Sequence, residues 1–223
     1  MRLSPHGIGL FGGTFDPIHV GHLRTALELK QAFNLEEMRM IPSAWPPHRL
    51  TPVSSASHRL KMLQLALSGQ VGQGLVADDI EIGRSGPSYT LDTLLEIRGR
   101  LGAEVSICLC LGMDSFADID AWNNWRSLLD IAHIVVAKRP GWGEPKNKEV
   151  LKFTQEYRAT NTEQFHEVPA GKIFIMEMTP LHISSTDIRS ALLQKKSTSW
   201  LLPDTVANYI KENELYQTTR DAL

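Results

Sequence analysis

The sequence predicts an α/β protein built on a doubly wound, mostly parallel sheet, with further helices at its C-terminal end. Three observations carry this prediction. Short apolar runs alternate with stretches of helical periodicity along the chain, as in consecutive βα units. The run "EVSICLCLG" at 104–112 is apolar almost throughout, as expected of a central parallel strand covered on both faces. No internal repeat or low-complexity segment interrupts the alternation.

Three strands are predicted to alternate with three helices in the first half of the chain. The strands are "GIGLF" at 7–11, "EMRMIPS" at 37–43, which ends at prolines, and "LVADDIEI" at 75–82, which alternates in polarity. The helices are at 19–33 and 57–67, both with apolar residues at helical spacing, and at 89–101, beginning near Thr90. A strand followed by a helix, repeated in this way, is the building unit of a parallel sheet.

The second half of the chain continues the same pattern. The central strand at 104–112 is followed by a helix at 122–132, strands at 133–141 and 172–178, and two helices beginning near Ser184 and Pro203. Residues 142–171 are polar and poorly periodic, and we interpret them as an insertion that contains one helix. We therefore expect a single domain over residues 1–223. Such sheets bind ligands beyond the carboxyl ends of their strands.

Composition narrows the classes of function. The formal net charge of -2 argues against a nucleic-acid partner held mainly by phosphate contacts, since such proteins are usually basic. Cys108 and Cys110 would point to the same face of one strand, so reduced, buried thiols are expected there. No sustained apolar segment indicates a signal peptide or a membrane span. We expect a cytoplasmic protein.

The segment "FGGTFDPIHVGH" at 11–22 is the strongest functional signal. Glycines follow a strand and precede a helix, and His19 and His22 stand three apart in the first turn of that helix, with Gly21 leaving room between them. A helix N-terminus with unpaired N–H groups and two imidazoles predicts a site for a polyphosphate. The segment matches neither the dinucleotide-binding nor the P-loop pattern.

Two other interpretations of the histidines stay open. They would be ordinary surface or packing residues if nothing else converged on this turn. They would be a metal pair if other ligands completed the set, but no cluster of cysteines or carboxylates lies nearby in the sequence.

Two motifs resemble the signatures of the nucleotidyltransferase α/β phosphodiesterase superfamily. "GGTFDPIHVGH" is similar to GxFDPxHxGH, and "ISSTDIR" at 183–189 is similar to ISSTxIR, about 160 residues further along the chain. Five further segments are similar to the bacterial nicotinate mononucleotide adenylyltransferases: "WPPHR" at 45–49, "SYTLDTL" at 88–94, "LGMDS" at 111–115, "AWNNW" at 121–125 and "AKRPG" at 137–141. The resemblance implies a Rossmann-like nucleotidyltransferase fold.

The implied reaction joins ATP and nicotinate mononucleotide to give deamido-NAD and pyrophosphate. The attacking group is a phosphate monoester with a second pKa near 6, so it is largely ionised and no catalytic base is required. On this reading the catalytic residues are His19 and His22. The residues assigned to ATP are Gly12, Gly13, Thr14, Phe15, His19, His22, His48, Arg49, Gly112, Asp114, Arg139, Ile183, Ser184, Ser185 and Arg189.

Several of these assignments have a plainer alternative. Ser184 or Ser185 is predicted to cap a helix facing phosphate, although an ordinary capped helix with a surface Arg189 would look the same in sequence. Asp114, after the central strand, would accept hydrogen bonds from ribose hydroxyls or cap the next short helix. Arg139 is as readily a surface cation, and His48 and Arg49 would be loop residues without the resemblance.

The nicotinate side is assigned to Thr90, Trp122, Asn123 and Ser43. The resemblance places a stacking aromatic at Trp122, while Trp125 is expected in the core and Thr90 caps a helix or contacts the base. Ser43 stands where the family often has asparagine, and Asn123 stands where it often has an aromatic residue. We expect no metal cage in the protein. Mg²⁺ would arrive with the phosphates and waters of ATP, and Asp16, the nearest carboxylate, is better explained by a turn.

Other activities remain as alternatives. Adenylyl transfer to nicotinamide mononucleotide or to phosphopantetheine belongs to the same class. A nucleotide sensor without turnover would bind ATP but release no pyrophosphate. An aminoacyl-tRNA synthetase also uses an HxGH element but needs a basic tRNA-binding region, and a structural protein needs no paired anion sites.

Overall fold

Strands and helices alternate along the part of the chain that the computed structural model describes, residues 7–45, 51–69, 72–84, 86–139 and 143–217. The strands are β1 (Ile8–Gly13), β2 (Glu37–Pro42), β3 (Leu75–Ala77), β4 (Ile107–Gly112), β5 (His133–Lys138) and β6 (Ile173–Glu177). The helices are α1 (Val20–Ala32), α2 (Ala56–Ser68), α3 (Thr90–Leu101), α4 (Met113–Ala117), α5 (Leu128–Ile131), α6 (Lys148–Tyr157), α7 (Ser185–Leu193) and α8 (Asp204–Glu212).

The six strands form one sheet in the order β3-β2-β1-β4-β5-β6. β1 pairs with β4, β4 with β5 and β5 with β6, all in parallel register. The strand order runs one way from β1 to β3 and the other way from β4 to β6, which is the doubly wound arrangement. The predicted fold class, a Rossmann-like parallel sheet with C-terminal helices, is confirmed.

The central strand β4 is buried along nearly its whole length, from Ile107 to Leu111. Burial on both faces requires apolar side chains at consecutive positions, and this is the pattern that marked the strand in the sequence. Cys108 and Cys110 lie in it as free, buried thiols, and burial raises the pKa of both well above that of an exposed thiol. They are therefore unreactive packing residues.

Two predicted elements differ from the structure. The strand predicted at 75–82 ends at Ala77, because the Asp78 side chain accepts a hydrogen bond from the Ile80 N–H at 3.0 Å and folds the chain into turns. The helix predicted at 122–132 is broken by Asn124, whose φ of 50° is left-handed. Only a short 3₁₀ turn at Trp125–Ser127 and α5 form after it.

Contacts between Cα atoms divide the chain into two compact units. The first comprises Met1–Phe11, Glu28–Arg39 and Tyr89–Pro180, and the second comprises Gly12–Leu27, Met40–Ser88 and Leu181–Leu223. The single domain expected from the sequence stays a prediction. The segment interpreted as an insertion contains α6 and a short 3₁₀ turn, Glu163–Phe165. Within the described residues, no helix is both long and apolar enough to span a bilayer.

Candidate active site

His19 and His22, which belong to the second unit, form a stacked pair at the start of α1. Their ring centroids are 3.6 Å apart and the rings are inclined by 23°. Nδ1 of His19 accepts a hydrogen bond from the backbone N–H of His22 at 3.3 Å, so His19 acts as the N-cap of α1. A ring nitrogen that accepts carries no proton, and the ring proton of neutral His19 is therefore on Nε2.

Neighbouring residues fix this pair sterically. A Cβ atom at Gly21 would lie 3.0 Å from Nδ1 of His19, closer than ordinary van der Waals contact allows, so only glycine leaves the ring in place. The Phe15 ring contacts His22 edge to face, with centroids 5.1 Å apart. His19 is 2% exposed and His22 is half-buried, so the turn presents the second ring more openly than the first.

The expectation of unpaired N–H groups at this helix end is wrong for two of them. The N–H of Val20 donates to the carbonyl of Leu201 at 3.0 Å, and that of His22 is used by His19. Helix ends are commonly satisfied by side chains or neighbouring loops, and here a distant loop supplies one acceptor. Attraction for an anion at this turn therefore depends on the imidazoles and the helix dipole.

A buried carboxylate lies in the middle of the same turn. Asp16 is 3% exposed, and its oxygens accept hydrogen bonds from the N–H of Val53 at 2.7 Å, the N–H of Ser54 at 3.2 Å and the hydroxyl of Tyr216 at 2.7 Å. Asp16 thus connects the turn to the loop that precedes α2 and to the segment that follows α8. This is the turn role expected from the sequence, in place of a role as a metal ligand.

Arg59 of α2 supports the turn from its other side. Its side chain is 1% exposed and donates to the carbonyls of Thr14 at 2.8 Å, Ser54 at 3.2 Å and Ala44 at 3.4 Å. Burial lowers the pKa of this guanidinium, and the charge of Asp16 opposes the shift. The backbone of Thr14, a predicted ATP contact, is held in place by this arginine.

The second motif binds the first directly. Ser184 caps α7, accepting from the N–H of Asp187 at 3.1 Å, while the Ser185 hydroxyl donates to the carbonyl of Pro17 at 3.0 Å. Nη1 of Arg189 donates to the carbonyl of Asp16 at 2.8 Å. The two motifs, far apart in sequence, are therefore in direct contact, and side chains of the second donate hydrogen bonds to backbone carbonyls of the first.

Further predicted residues of the second unit lie beside this turn. We call residues 14–22 the histidine turn. Ile183 approaches it, with its Cβ 3.5 Å from the position that a Cβ at Gly21 would take. Gly12 and Gly13 end β1, and Ser43, just after β2, donates its N–H to the carbonyl of Gly13 at 3.0 Å. His48 and Arg49 lie outside the described residues.

The remaining predicted residues belong to the first unit and follow its strands. Gly112 ends β4, and a Cβ there would lie 2.5 Å from a carboxylate oxygen of Asp114, which is exposed in the first turn of α4. Thr90 begins α3, whose N-cap is Tyr89, so Thr90 is not the cap. Arg139 is exposed directly after β5.

Trp122 and Trp125 differ in burial. Trp125 is 7% exposed and packs against Phe153, with ring centroids 4.7 Å apart, so it belongs to the core. Trp122 is only half-buried, and Asn123 beside it is exposed. Trp122 therefore keeps part of its face away from the core.

Three residues that organise the turn were not predicted from the sequence: Arg59, Tyr216 and Leu201. Arg59 left a signal, because it stands on the buried side of α2 together with Met62 and Leu63, where a charge is unusual without a partner. Nothing in the sequence signals the roles of Tyr216 and the carbonyl of Leu201, because their partners, Asp16 and Val20, are remote in sequence.

The residues that the structure describes form no protein cage for a metal. Across the described ranges, no group of three or more His, Cys, Asp or Glu side chains is arranged to hold a metal ion. Asp16 fits poorly as a ligand because both of its oxygens already accept hydrogen bonds from protein groups.

Comparison with known proteins identifies the family. The cytidylyltransferase-like family model matches residues 10–191. The chain is 44% identical over 210 residues to a protein of Cellvibrio japonicus, covering 94% of this chain and 98% of the relative. It is 43% identical over 209 residues to one of Methylococcus capsulatus, covering 94% and 99%. Both relatives are named "probable nicotinate-nucleotide adenylyltransferase".

The fold also matches solved structures. The Plasmodium falciparum nicotinic acid mononucleotide adenylyltransferase, complexed with NaAD, superposes with a TM-score of 0.71 at 18% identity, covering 95% of this chain and 97% of that one. This likeness supports the fold, and the identity to the bacterial relatives supports the family. The chain belongs to the cytidylyltransferase-like family and, within it, to the nicotinate-nucleotide adenylyltransferases.

Proposed function

We propose that this chain transfers the adenylyl group of ATP to nicotinate mononucleotide, forming nicotinate adenine dinucleotide (deamido-NAD) and pyrophosphate in NAD biosynthesis. The observation that carries the proposal is the stacked pair of His19 and His22 at the start of α1, with the second motif hydrogen-bonded to the backbone of the same turn. The names of the bacterial relatives support the same reaction.

The reaction requires that the phosphates of ATP and nicotinate mononucleotide be aligned and that their negative charges be neutralised. An oxygen of the nicotinate mononucleotide phosphate forms a bond to the α-phosphorus of ATP, and the bond from that phosphorus to the bridging oxygen breaks as pyrophosphate leaves with the electron pair. The attacking phosphate is already ionised, so no residue must remove its proton. The protein must hold the two phosphates in line and stabilise the charge that shifts onto the leaving group.

The geometry suggests distinct parts for the two histidines. Because Nδ1 of His19 accepts from the backbone, we assign its Nε2–H to a phosphate oxygen. His22 is the more open ring, and a hydrogen bond or positive charge from it would stabilise the α-phosphate as the bond to pyrophosphate breaks. Rigid placement by Gly21 and Phe15 is what such stabilisation requires, since the donors must not reorganise during the reaction.

The other assignments to ATP follow the same turn. Gly12, Gly13, Thr14 and Phe15 would line the phosphate site, with Ile183 and Ser184 at the start of α7. Ser185 and Arg189 would act largely by holding the turn. Nε of Arg189 is buried and has no hydrogen-bond partner within the described part of the chain, so this arginine keeps a donor for a phosphate oxygen. His48 and Arg49 remain proposed triphosphate contacts.

The residues after the strands of the first unit are proposed for the nucleosides. Gly112 and Asp114 would bind the ATP ribose, where a carboxylate accepts from hydroxyl groups. The half-buried Trp122 would stack on the pyridine ring, with Asn123 and Thr90 as further proposed contacts of the nicotinate nucleotide. Ser43, in the second unit, is proposed as a contact of the same substrate. Arg139, exposed after β5, would contact a phosphate or the adenine.

We propose that Mg²⁺ enters with ATP, held by phosphate oxygens and water, because the donor set described above suits no protein-bound metal. When bound, the ion lowers the negative charge of the triphosphate. We propose that the reaction takes place in the cytoplasm.

Pyrophosphate release tests the function. The purified protein would be incubated with ATP, Mg²⁺ and one of three acceptors: nicotinate mononucleotide, nicotinamide mononucleotide or phosphopantetheine. We expect release to be fastest with nicotinate mononucleotide. Preference for another acceptor would reassign the substrate, and ATP binding without release from any acceptor would identify a nucleotide sensor instead.

A further inference from the structure

Tyr216, which follows α8, is buried and holds an uncommon backbone conformation. It lies four residues after α8, is 2% exposed and has a φ of 61°. A bulky residue keeps a left-handed backbone only where its surroundings hold it there. Its hydroxyl donates to Oδ1 of Asp16 at 2.7 Å, so the C-terminal segment returns to the histidine turn of its own unit.

Burial makes this hydroxyl a dependable donor. Removal from water raises the pKa of Tyr216 strongly, and the negative charge of Asp16 raises it further. The phenol is therefore protonated across the whole range in which a protein works. An O–H donor to an ionised carboxylate makes one of the stronger hydrogen bonds available to neutral side chains.

Asp16 connects that hydroxyl to the histidines by two routes. Its neighbour Phe15 packs edge to face on His22, and His19 follows three residues later in the same turn. The backbone carbonyl of Asp16 also accepts from Arg189. The Asp16 carboxylate is therefore anchored on the same backbone turn that carries both imidazoles.

We propose that Tyr216 is a positioning residue for adenylyl transfer, whose hydroxyl orients the Asp16 carboxylate and, through it, the turn that aims His19 and His22. This inference rests on the proposed function for its catalytic readout. The hydroxyl itself acts through Asp16, which holds the loop of Val53 and Ser54 with its other hydrogen bonds.

The test removes only the hydroxyl. Tyr216→Phe is compared with Tyr209→Phe, a matched control in α8 whose hydroxyl is 2.9 Å from Nδ1 of His58 and is not bonded to Asp16. We expect Tyr216→Phe to lower kcat about tenfold, because a small misalignment of catalytic groups is costly. The KM values should change less than about twofold, since the loss falls on the transition state. Tyr209→Phe should leave kcat within about twofold of the parent.

A second measurement does not depend on turnover. The ring resonances of His19 and His22, followed by NMR in the full chain, should shift in Tyr216→Phe and stay in place in Tyr209→Phe. If the parent protein releases no pyrophosphate, the proposed function fails, and these resonances alone decide whether Tyr216 positions the turn.

A coupled variant guards against a purely structural effect. Asp16→Asn should reproduce the loss of kcat, and adding Tyr216→Phe to it should lower kcat by less than a further twofold or so, because both changes remove the same interaction. Full additivity of the two losses would overturn the proposal. So would a Tyr216→Phe protein that unfolds at lower temperature but keeps its kcat and its histidine resonances.

Discussion

The histidine turn of the second unit and the region around Arg98 and His133 in the first unit are built with the same devices. In both, an arginine donates to several backbone carbonyls and a buried histidine accepts a backbone N–H. Arg98, in the last turn of α3, donates to the carbonyls of Gly102, Ala103, Val105, Ile131 and Pro169. Arg59 does the same for three carbonyls around the turn at Asp16.

The buried histidine is His133 in the first unit and His19 in the second, and the two differ in what contacts the rest of the ring. His133 accepts from the N–H of Lys172 at 3.1 Å, and its Nε2 donates to the carbonyl of Val168 at 2.9 Å, so both nitrogens join backbone segments. His19 also accepts a backbone N–H but is stacked on a second imidazole. Burial is therefore common to His133 and His19, and the stacked second ring at a helix start is the feature on which the proposed catalytic role of His19 rests.

The largest effect is expected from Arg98→Met, which tests the purely structural side of this comparison. Leaving several carbonyls without a charged donor should lower the free energy of unfolding by about 3–4 kcal/mol. Turnover per folded molecule should stay within about twofold. Urea unfolding measures the change, and Arg100→Met, on the exposed face of the same helix, is the control. A loss below about 1 kcal/mol would show that the carbonyls are satisfied in other ways.

His133 is expected to make stability depend on pH. Burial, followed by the charges of Lys172, Arg98 and His166, lowers the pKa of His133 from 6.5 to about 4, against a hydrogen bond to Val168 that raises it. Between these values the unfolded chain binds a proton that the folded protein does not. The free energy of unfolding is therefore free of this penalty above pH 6.5. It falls by up to about 3 kcal/mol as the pH is lowered towards 4, because protons bind His133 in the unfolded chain.

The measurement is urea unfolding at several pH values across that window. In His133→Gln, whose amide can still bond both backbone groups, the decline in unfolding free energy from this site should disappear. His182→Gln, at an exposed histidine, should retain it. A parent protein and a His133→Gln variant with parallel pH profiles would contradict the assignment.

His22→Ala tests the catalytic side. We expect adenylyl transfer to fall at least ~100-fold, or about 2.7 kcal/mol on the barrier, the scale of one lost charge-stabilising donor. Stability should change by less than about 1 kcal/mol, because the ring is half-buried. Initial rates of pyrophosphate release measure the change, with His166→Ala as the control. Near-normal turnover of His22→Ala would count against the mechanism.

The smallest expected effect separates the position of a ring from its presence. Gly21→Ala adds a Cβ 3.0 Å from Nδ1 of His19 and should displace that ring, lowering kcat about tenfold while both histidines remain. Gly99→Ala in α3 adds a Cβ with no atom within 4 Å and should leave kcat unchanged. Equal rates for the two variants would mean that the precise place of His19 does not matter.

The parts of the fold that local pattern controls were predictable. The buried run of β4 and the helical spacing of leucines each follow from which faces of an element are covered, and that information lies within a few neighbouring residues. The two failures were also local but subtler. The turn at Asp78 and the left-handed Asn124 interrupt elements whose apolar pattern continues through them.

The histidine turn was recognisable because its chemistry is concentrated in twelve consecutive residues, and the ISSTDIR motif because it repeats a capped helix start. The residues that support that turn could not be recognised from the sequence. Arg59, Tyr216 and the carbonyl of Leu201 reach it from positions whose distance along the chain carries no periodic signal.

By itself the sequence determined a parallel α/β sheet, a glycine-rich turn that carries two histidines, and the reaction class that its motifs resemble. Only the tertiary structure decided how the N–H groups of α1 are satisfied, that the second motif binds the backbone of the first, and that Tyr216 reaches Asp16. The reason is physical. Elements form from the burial pattern of adjacent residues, whereas hydrogen bonds between remote segments exist only once packing has brought a donor and an acceptor to within about 3 Å of each other.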